Sequence, residues 1–575
     1  MRVMRRRFLP VLVGAAAALS SCAPAARPAA DGGGTVVETT RAEQGMVVSA
    51  NGIASRVGAD VLRRGGNAVD AAIATGLALA VVHPTAGNIG GGGFMIIRFP
   101  DGRTTALDFR EKAPLRAHPE MFVDPATGEY SSDIHHNSHL AVGVPGTVAG
   151  FDYAHRKYGR AEWSDLVEPS VTLARDGFRL TEALARSFAN VLRSMQEYPA
   201  SIATFSDQGT PWPADHLWQQ PDLATTLERI RAQRRDGFYR GETARLIAAE
   251  MRRGGGMITL EDLERYEPRE LDPVTGSYRG YDVISMAPPS SGGIAMVEML
   301  NILEGFDLRA LGHNTAPYIH HLAEAMRRAY RDRAQYVADP EFADVPVARL
   351  TSKEYAAGLR RTIDPARATP SSPADLALPA ESDETTHYSV VDAAGMAVSV
   401  TYTLEAGYGS KIVVPGAGFL LNNEMGDFNA RPGLTTETGL IGTDPNLARP
   451  EQRMISSMTP TILARDGRLV AVFGSPGGRT IINTVTQIVL NLVDHGMTLE
   501  EAVAAKRLHH QWLPDRISIE ADGATEDALA QLRAMGHDVR MGGRQGSVHA
   551  IMIDPTGRRI AAPDARDADA GAAGY

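Results

Sequence analysis

Cysteine is nearly absent: the 575-residue chain has one, at position 22. A single thiol forms no disulfide within the chain, so redox stapling plays no part in its stability. A surplus of positive charge is also missing. Lys and Arg number 58 against 68 Asp and Glu, a formal net charge of −10, which gives no reason to expect nucleic-acid binding. It leaves room for a local cationic pocket that takes a small anionic ligand. Membrane-length apolar runs are lacking too. Residues 8–19 are apolar but too short to span, and residues 68–82 are interrupted by Asp70 and Thr75 and read as a buried helix. The glycine turn GNIGGGGFM, 87–95, lacks a Gly-Lys-Ser/Thr ending and runs into the strand-like MIIRF. That argues against a phosphate loop and for close backbone packing. There is no internal repeat, and no low-complexity tract beyond the Ala-rich ends.

What is present is ordinary globular material, 43% hydrophobic and 22% charged, with ample core for two to four domains or one large α/β unit. The N-terminus MRVMRRRFLPVLVGAAAALSSCAP has a basic stretch, an apolar stretch and small residues, the order of an export signal. Arg5 to Leu9 resembles a twin-arginine signal, and Leu19-Ser20-Ser21-Cys22 resembles a bacterial lipobox in which Cys22 is lipidated. The plain alternative for Cys22 is a buried thiol. Residues 1–22 are therefore expected to be an export signal with lipobox and 23–40 a flexible tether. The product is expected to be exported and periplasmic, touching membrane only through a lipid anchor.

Periodicity and capping signals predict helices over 51–64, 68–82, 219–234, 316–337, 480–494 and 498–507. Strands are predicted over 386–392, 396–404, 418–421, 459–464, 470–473 and 549–553, with an exposed loop over 371–384. His135, His136 and His139 read as a solvated loop rather than a metal site, and His509-His510 as structural.

Residues 385–409, TTHYSVVDAAGMAVSVTYTLEAGYG, read as a hairpin. A three-residue loop over 393–395, closed by Gly395 in the left-handed conformation, sets Asp392 opposite Met396. The pairing then runs back to Thr385 opposite Thr403, with Cβ atoms about 5 Å apart on one face. Glu405 falls two residues further on that face. A threonine with a free α-amine is a competent nucleophile, because the amine supplies the base that the hydroxyl needs. Attack of the Thr385 hydroxyl on the Glu384 carbonyl, followed by hydrolysis of the ester, would create that amine. The plain alternative is that Thr385 and Thr386 are strand-favouring β-branched residues.

This segment strongly resembles the signature of the γ-glutamyltranspeptidases, self-cleaving N-terminal-nucleophile hydrolases. The resemblance extends over nearly the whole chain beyond the tether, through SANGIASRVGADVLRRGGNAVDAAIA, GNIGGGGFM, DFREKAP, GVPGTVAG, PPSSGG, LLNNEMGDF, SSMTPTI, GSPGGRTI, RLHHQWLPD and the closing Gly574-Tyr575. It implies an α/β (α+β) fold, the four-layer αββα sandwich of that superfamily, built jointly by a large fragment 41–384 and a small catalytic fragment 385–575 as a heterodimer. It implies Thr385 as nucleophile for cleavage of the Glu384–Thr385 bond and for turnover, with Thr403 as its hydrogen-bond partner. The N–H groups of Gly477 and Gly478 are implied as the oxyanion hole. Arg110, Ser456 and Ser457 would hold the substrate α-carboxylate, and Glu405, Glu424 and Asp427 the α-ammonium. Glutathione and related γ-glutamyl compounds would be donors, water or amino acid and peptide amines the acceptors, and no metal or organic cofactor is implied. A forked guanidinium for the anion and acids for the cation suit a free amino-acid head.

Three positions depart from the family pattern: Met396 for Asn or Ser, Gly426 for Asp, and Thr438 nearest the place of the aromatic gate in the lid, 429–455. Two rivals remain open, a cephalosporin (glutaryl) acylase of the same superfamily and an unprocessed, surface-anchored binding protein.

Overall fold

The computed structural model describes residues 39–372, 385–434, 436, 438 and 442–575. The export signal, Cys22, nearly all of the tether and Glu384 lie outside the described residues. Two seven-stranded antiparallel sheets dominate. One runs Gly571–Gly574, Met46–Ser49, Thr386–Val391, Ala397–Thr403, Gly92–Arg98, Thr104–Phe109, Arg269–Leu271. The other runs Thr40–Ala42, Arg559–Pro563, His549–Ile553, Arg468–Phe473, Thr461–Arg465, Tyr281–Ser285, Val274–Tyr278. Each mixes strands from both sides of position 385, so neither half of the chain can complete a sheet alone.

Alternation assigns each residue to a layer, because successive side chains of a strand point to opposite faces. Val47, Met95, Ile97, Val390, Val398 and Val400 pack with the helices Gly52–Arg63 and Ala68–Val82 on the outer face of the first sheet. Met46, Val48, Phe94, Ile96, Val391 and Ala397 belong to the core shared with the second sheet and the helices Gly292–Leu303, Ala316–Tyr336 and Thr480–Val493. Helix, sheet, sheet and helix thus make the four expected layers.

The helix Ala68–Val82 has the predicted bounds, and Asp70, fully buried, is its N-terminal capping-box residue. The predicted strand over 418–421 does not form. Gly416 and Gly418 take φ of 73° and 76°, and a single bridge joins Val413 to Leu420. The apolar run there reflects burial rather than extension.

Candidate active site

The hairpin pairs Thr386 with Tyr402 and Val391 with Ala397, the predicted register. Gly395 closes the turn at φ 85°, its N–H donating to the Asp392 carbonyl. Thr385 stands one residue before the strand, and its Oγ1 lies 3.4 Å from Thr403 Oγ1. Thr403 Oγ1 also accepts from the Glu405 N–H at 2.9 Å. Glu405 has φ 78°, a left-handed turn that costs a side-chain-bearing residue about 1–2 kcal/mol. That turn bends the chain back over the strand end.

The glycine turn before the strand Gly92–Arg98 fixes Thr403 from behind. Asn88 Nδ2 donates to the Thr403 carbonyl at 2.8 Å, and a β-carbon on Gly91 would lie 2.1 Å from that oxygen. Close approach of two backbones, as expected, is what the glycines permit.

On the inter-sheet face behind Thr385 the two strands carry a polar ladder. His387 Nδ1 meets Thr401 Oγ1 at 2.8 Å and its Nε2 meets Ser389 Oγ at 3.0 Å. Burial drives the His387 pKa well below its ordinary value, so the ring is neutral. The ring packs on Gly474, where a β-carbon would come within 2.5 Å of it. From there the segment Gly474-Ser475-Pro476-Gly477-Gly478 turns toward Thr385. Gly477 and Gly478 take φ of 125° and 52°, and their carbonyls accept from Thr480 and Ile481 at 3.0 and 3.1 Å. This clamps the loop to the first turn of the helix Thr480–Val493, whose dipole favours negative charge at that end. Nothing in the residue pattern separated His387 from an ordinary strand position.

Thr385 is shared by two cavities. The smaller, about 20 Å³, is lined by Arg110, Thr385, Thr403, Glu405, Glu424, Asp427, Ser456, Ser457 and Gly478 among others. All six residues implied to hold the substrate head are therefore together, across more than 300 positions of chain. Arg110 is 1% exposed and forms close ion pairs with both Glu424 and Asp427. Its Nη2 also donates to the Ile455 carbonyl at 3.1 Å. Burial works against the Arg110 charge, but Glu424, Asp427 and Glu111 hold its pKa above the ordinary value. Burial raises Glu424 well above the usual carboxylate range, against the pull of Arg110. Glu405 is held by the Asn423 amide. Ser457 Oγ accepts from Arg333 at 3.2 Å, and Ser291, in PPSSGG, donates its N–H and hydroxyl to the Ser456 carbonyl at 2.8 and 2.7 Å.

The geometry adds three buried partners of Arg110 and corrects one expectation. Arg110, implied to hold a carboxylate, pairs with Glu424 and Asp427, two of the acids implied to hold the ammonium, since buried charges are stable only when paired. Glu111 is fully buried 3.8 Å from Arg110, and its carboxylate has no hydrogen-bond partner among the described residues. Burial pushes its pKa up to about 8 despite Arg110. The histidine cluster is not a solvated loop. His135 is buried between Tyr130 and the Met425 carbonyl, at 3.0 and 3.1 Å, and His139 pairs with Glu250 at 2.9 Å. His136 lies 3.7 Å from Glu405. Gly426 makes room for it, since a β-carbon there would fall 2.5 Å from its Nδ1. His509, hydrogen-bonded to Asn483 at 2.6 Å, fits a structural role.

The family model for gamma-glutamyltranspeptidase matches residues 54–574. The glutathione hydrolase proenzyme of Escherichia coli is 46% identical, over 100% of this chain and 99% of its own length. The crystal structure of a cephalosporin acylase from Bacillus halodurans superposes with a TM-score of 0.83 at 27% identity, covering 96% of this chain and 99% of that one. That of Helicobacter pylori gamma-glutamyltranspeptidase gives 0.54 at 45% identity, over 55% of this chain and 91% of that one. With the family model spanning nearly the whole described chain, this protein belongs to the γ-glutamyltranspeptidase family.

Proposed function

We propose that the chain is a self-processing γ-glutamyltransferase and hydrolase that cleaves the γ-glutamyl amide of glutathione and related compounds. The observation that carries this reading is one constellation: Thr385 at a strand end, 3.4 Å from Thr403, beside a cradle of one arginine and four acids. In the maturation step the Thr385 hydroxyl attacks the Glu384 carbonyl, and the peptide C–N bond gives way to an ester. Water then cleaves the ester, leaving Glu384 with a carboxyl group and Thr385 with a free amine. The fragments 41–384 and 385–575 stay together as a heterodimer.

In turnover, the Thr385 amine takes the hydroxyl proton as Oγ1 attacks the γ-carbonyl carbon. The N–H groups of Gly477 and Gly478 bind the developing oxyanion. The C–N bond breaks, the leaving amine takes the proton, and a γ-glutamyl ester of Thr385 remains. Water then releases glutamate, or an amino acid or peptide amine takes the glutamyl group. Substrate binding is an exchange of ion pairs. The α-carboxylate, with Ser456 and Ser457, takes over Arg110, and the α-ammonium takes over Glu405, Glu424 and Asp427. A head with only one of the two charges leaves half of this exchange unpaired.

That argument separates the reading from a glutaryl acylase. A glutaryl group keeps the carboxylate that takes over Arg110 but has no ammonium, so it displaces the acids from Arg110 and leaves Glu405, Glu424 and Asp427 as like charges without a cation. Release of nitroaniline from γ-glutamyl and glutaryl anilides tests the choice: the γ-glutamyl compound is expected to be strongly preferred, and a preference for glutaryl overturns it. Export and lipidation at Cys22 rest on the N-terminal pattern. Among the described residues no helix is long and apolar enough to cross a membrane. Metabolic labelling with a radioactive fatty acid, lost in Cys22→Ser, tests the anchor.

A further inference from the structure

The second cavity that Thr385 lines is a groove of about 450 Å³. With the glutamyl head in the cradle, atoms beyond the scissile bond have this groove to enter. It is charged: Arg544, Arg566, Asp567 and Asp569 line it. Three of these are committed elsewhere. Arg566 bonds Glu520 and Asp564 at 2.8 and 3.1 Å. Asp567 accepts from the Ser547 hydroxyl and lies 3.3 Å from His549. Asp569 accepts from Thr181 at 3.0 Å.

Arg544 differs. Its side chain is 49% exposed, and its hydrogen bonds, to the Arg566 carbonyl at 2.6 Å and to Asp567 at 3.2 Å, both use Nη1. Nε and Nη2 have no partner among the described residues. These two donors point in parallel along one edge of the guanidinium, the edge that grips a carboxylate in bidentate fashion. The Arg544 loop is also fixed relative to the nucleophile. Gly542, Gly543 and Gly546 take φ of 122°, 76° and 64°. The Ser547 N–H donates to Ser475 Oγ at 2.9 Å, tying the loop to the glycine segment beside Thr385.

We propose that this groove selects leaving groups and acceptor amines that end in a carboxylate, and that Arg544 reads that carboxylate. The proposal rests on the γ-glutamyl reading above. A dipeptide leaving group, extended over about 7 Å from its amine to its C-terminus, presents its only anion at the far end from Thr385. Asp567 and Asp569, already bonded, border the path without competing for Arg544's free edge.

The test compares glutathione with its C-terminal amide, which differ only in that anion. Wild-type enzyme is expected to show kcat/KM about tenfold higher for glutathione, the value of one charge-assisted contact. Arg544→Gln brings the two values together, chiefly through KM, and Arg544→Lys keeps part of the difference. A ratio near one in wild type, or an Arg544→Gln variant that lowers both substrates equally and preserves the ratio, overturns the proposal. Wild-type enzyme that cleaves γ-glutamyl anilide yet shows no such ratio leaves the γ-glutamyl reading standing and removes only this one. Failure to cleave any γ-glutamyl compound removes both.

Discussion

The two cavities that meet at Thr385 are built on opposite principles. The cradle is buried, about 20 Å³, and packed with charges: Arg110 against Glu424 and Asp427, with Glu111 and Glu405 beside them. The groove is more than twenty times larger, and one of its charges, Arg544, is half exposed. In the cradle, low dielectric makes every charge expensive unless matched, so one head group of fixed charge pattern is selected. At half-exposed Arg544 water screens the charge, so selection there is weaker and depends on single contacts. An enzyme that keeps one acyl group and exchanges many amines needs this asymmetry.

Four substitutions break or sharpen the contrast, in order of expected effect. Thr385→Ala removes the atom both cavities share. The chain is expected to run uncut on a denaturing gel, where wild type gives two fragments, with turnover down at least about 10³-fold. Arg110→Gln leaves a cluster of buried acids without their cation. It is expected to cost about 3–5 kcal/mol, read as a lower urea midpoint in the uncut Thr385→Ala background, where unfolding involves one chain. Thr403→Val keeps the shape but removes the hydroxyl that touches both Thr385 and the Glu405 N–H. Self-cleavage and turnover rates are both expected to fall about tenfold.

The fourth concerns pH. The Glu111 carboxyl titrates near 8 in the fold against 4.5 for the free group, so the folded state holds its proton more tightly than the unfolded chain. The stability this contributes is fully present below about pH 4.5 and is lost as pH rises through about 8. Glu111→Gln is expected to flatten that decline relative to its parent when urea midpoints are compared from pH 5 to pH 8.5. An unchanged slope would place the titration elsewhere.

Much of this was legible along the chain where the contacts are local. The Thr385–Thr403 register followed from one turn and a period of two, and the helix Ala68–Val82 from its composition and caps. Gly477, Gly478 and the acids came through resemblance, and in the fold they line the cavities that meet at Thr385. What stayed hidden depends on distance along the chain. Glu111 beside Arg110 looks like any surface pair until Glu424 and Asp427, more than 300 residues away, enclose it. His136 beside Glu405 and His387 beneath Gly474 are likewise meetings that no local pattern marks. At Gly426, where the family pattern has Asp, the space left by the missing side chain is filled by His136.

The order of strands in the first sheet has a consequence for how a pair of fragments cut at the proposed site would behave. The strand Thr386–Val391 is flanked by Met46–Ser49, and its partner Ala397–Thr403 by Gly92–Arg98. Cutting before Thr385 therefore changes the connectivity of the chain while leaving its topology intact. Fragments cut there would be threaded through each other like the fingers of clasped hands, and separating them would mean unzipping both sheets. Activity should then be indifferent to dilution, and fragments from different molecules should exchange only after denaturation and refolding.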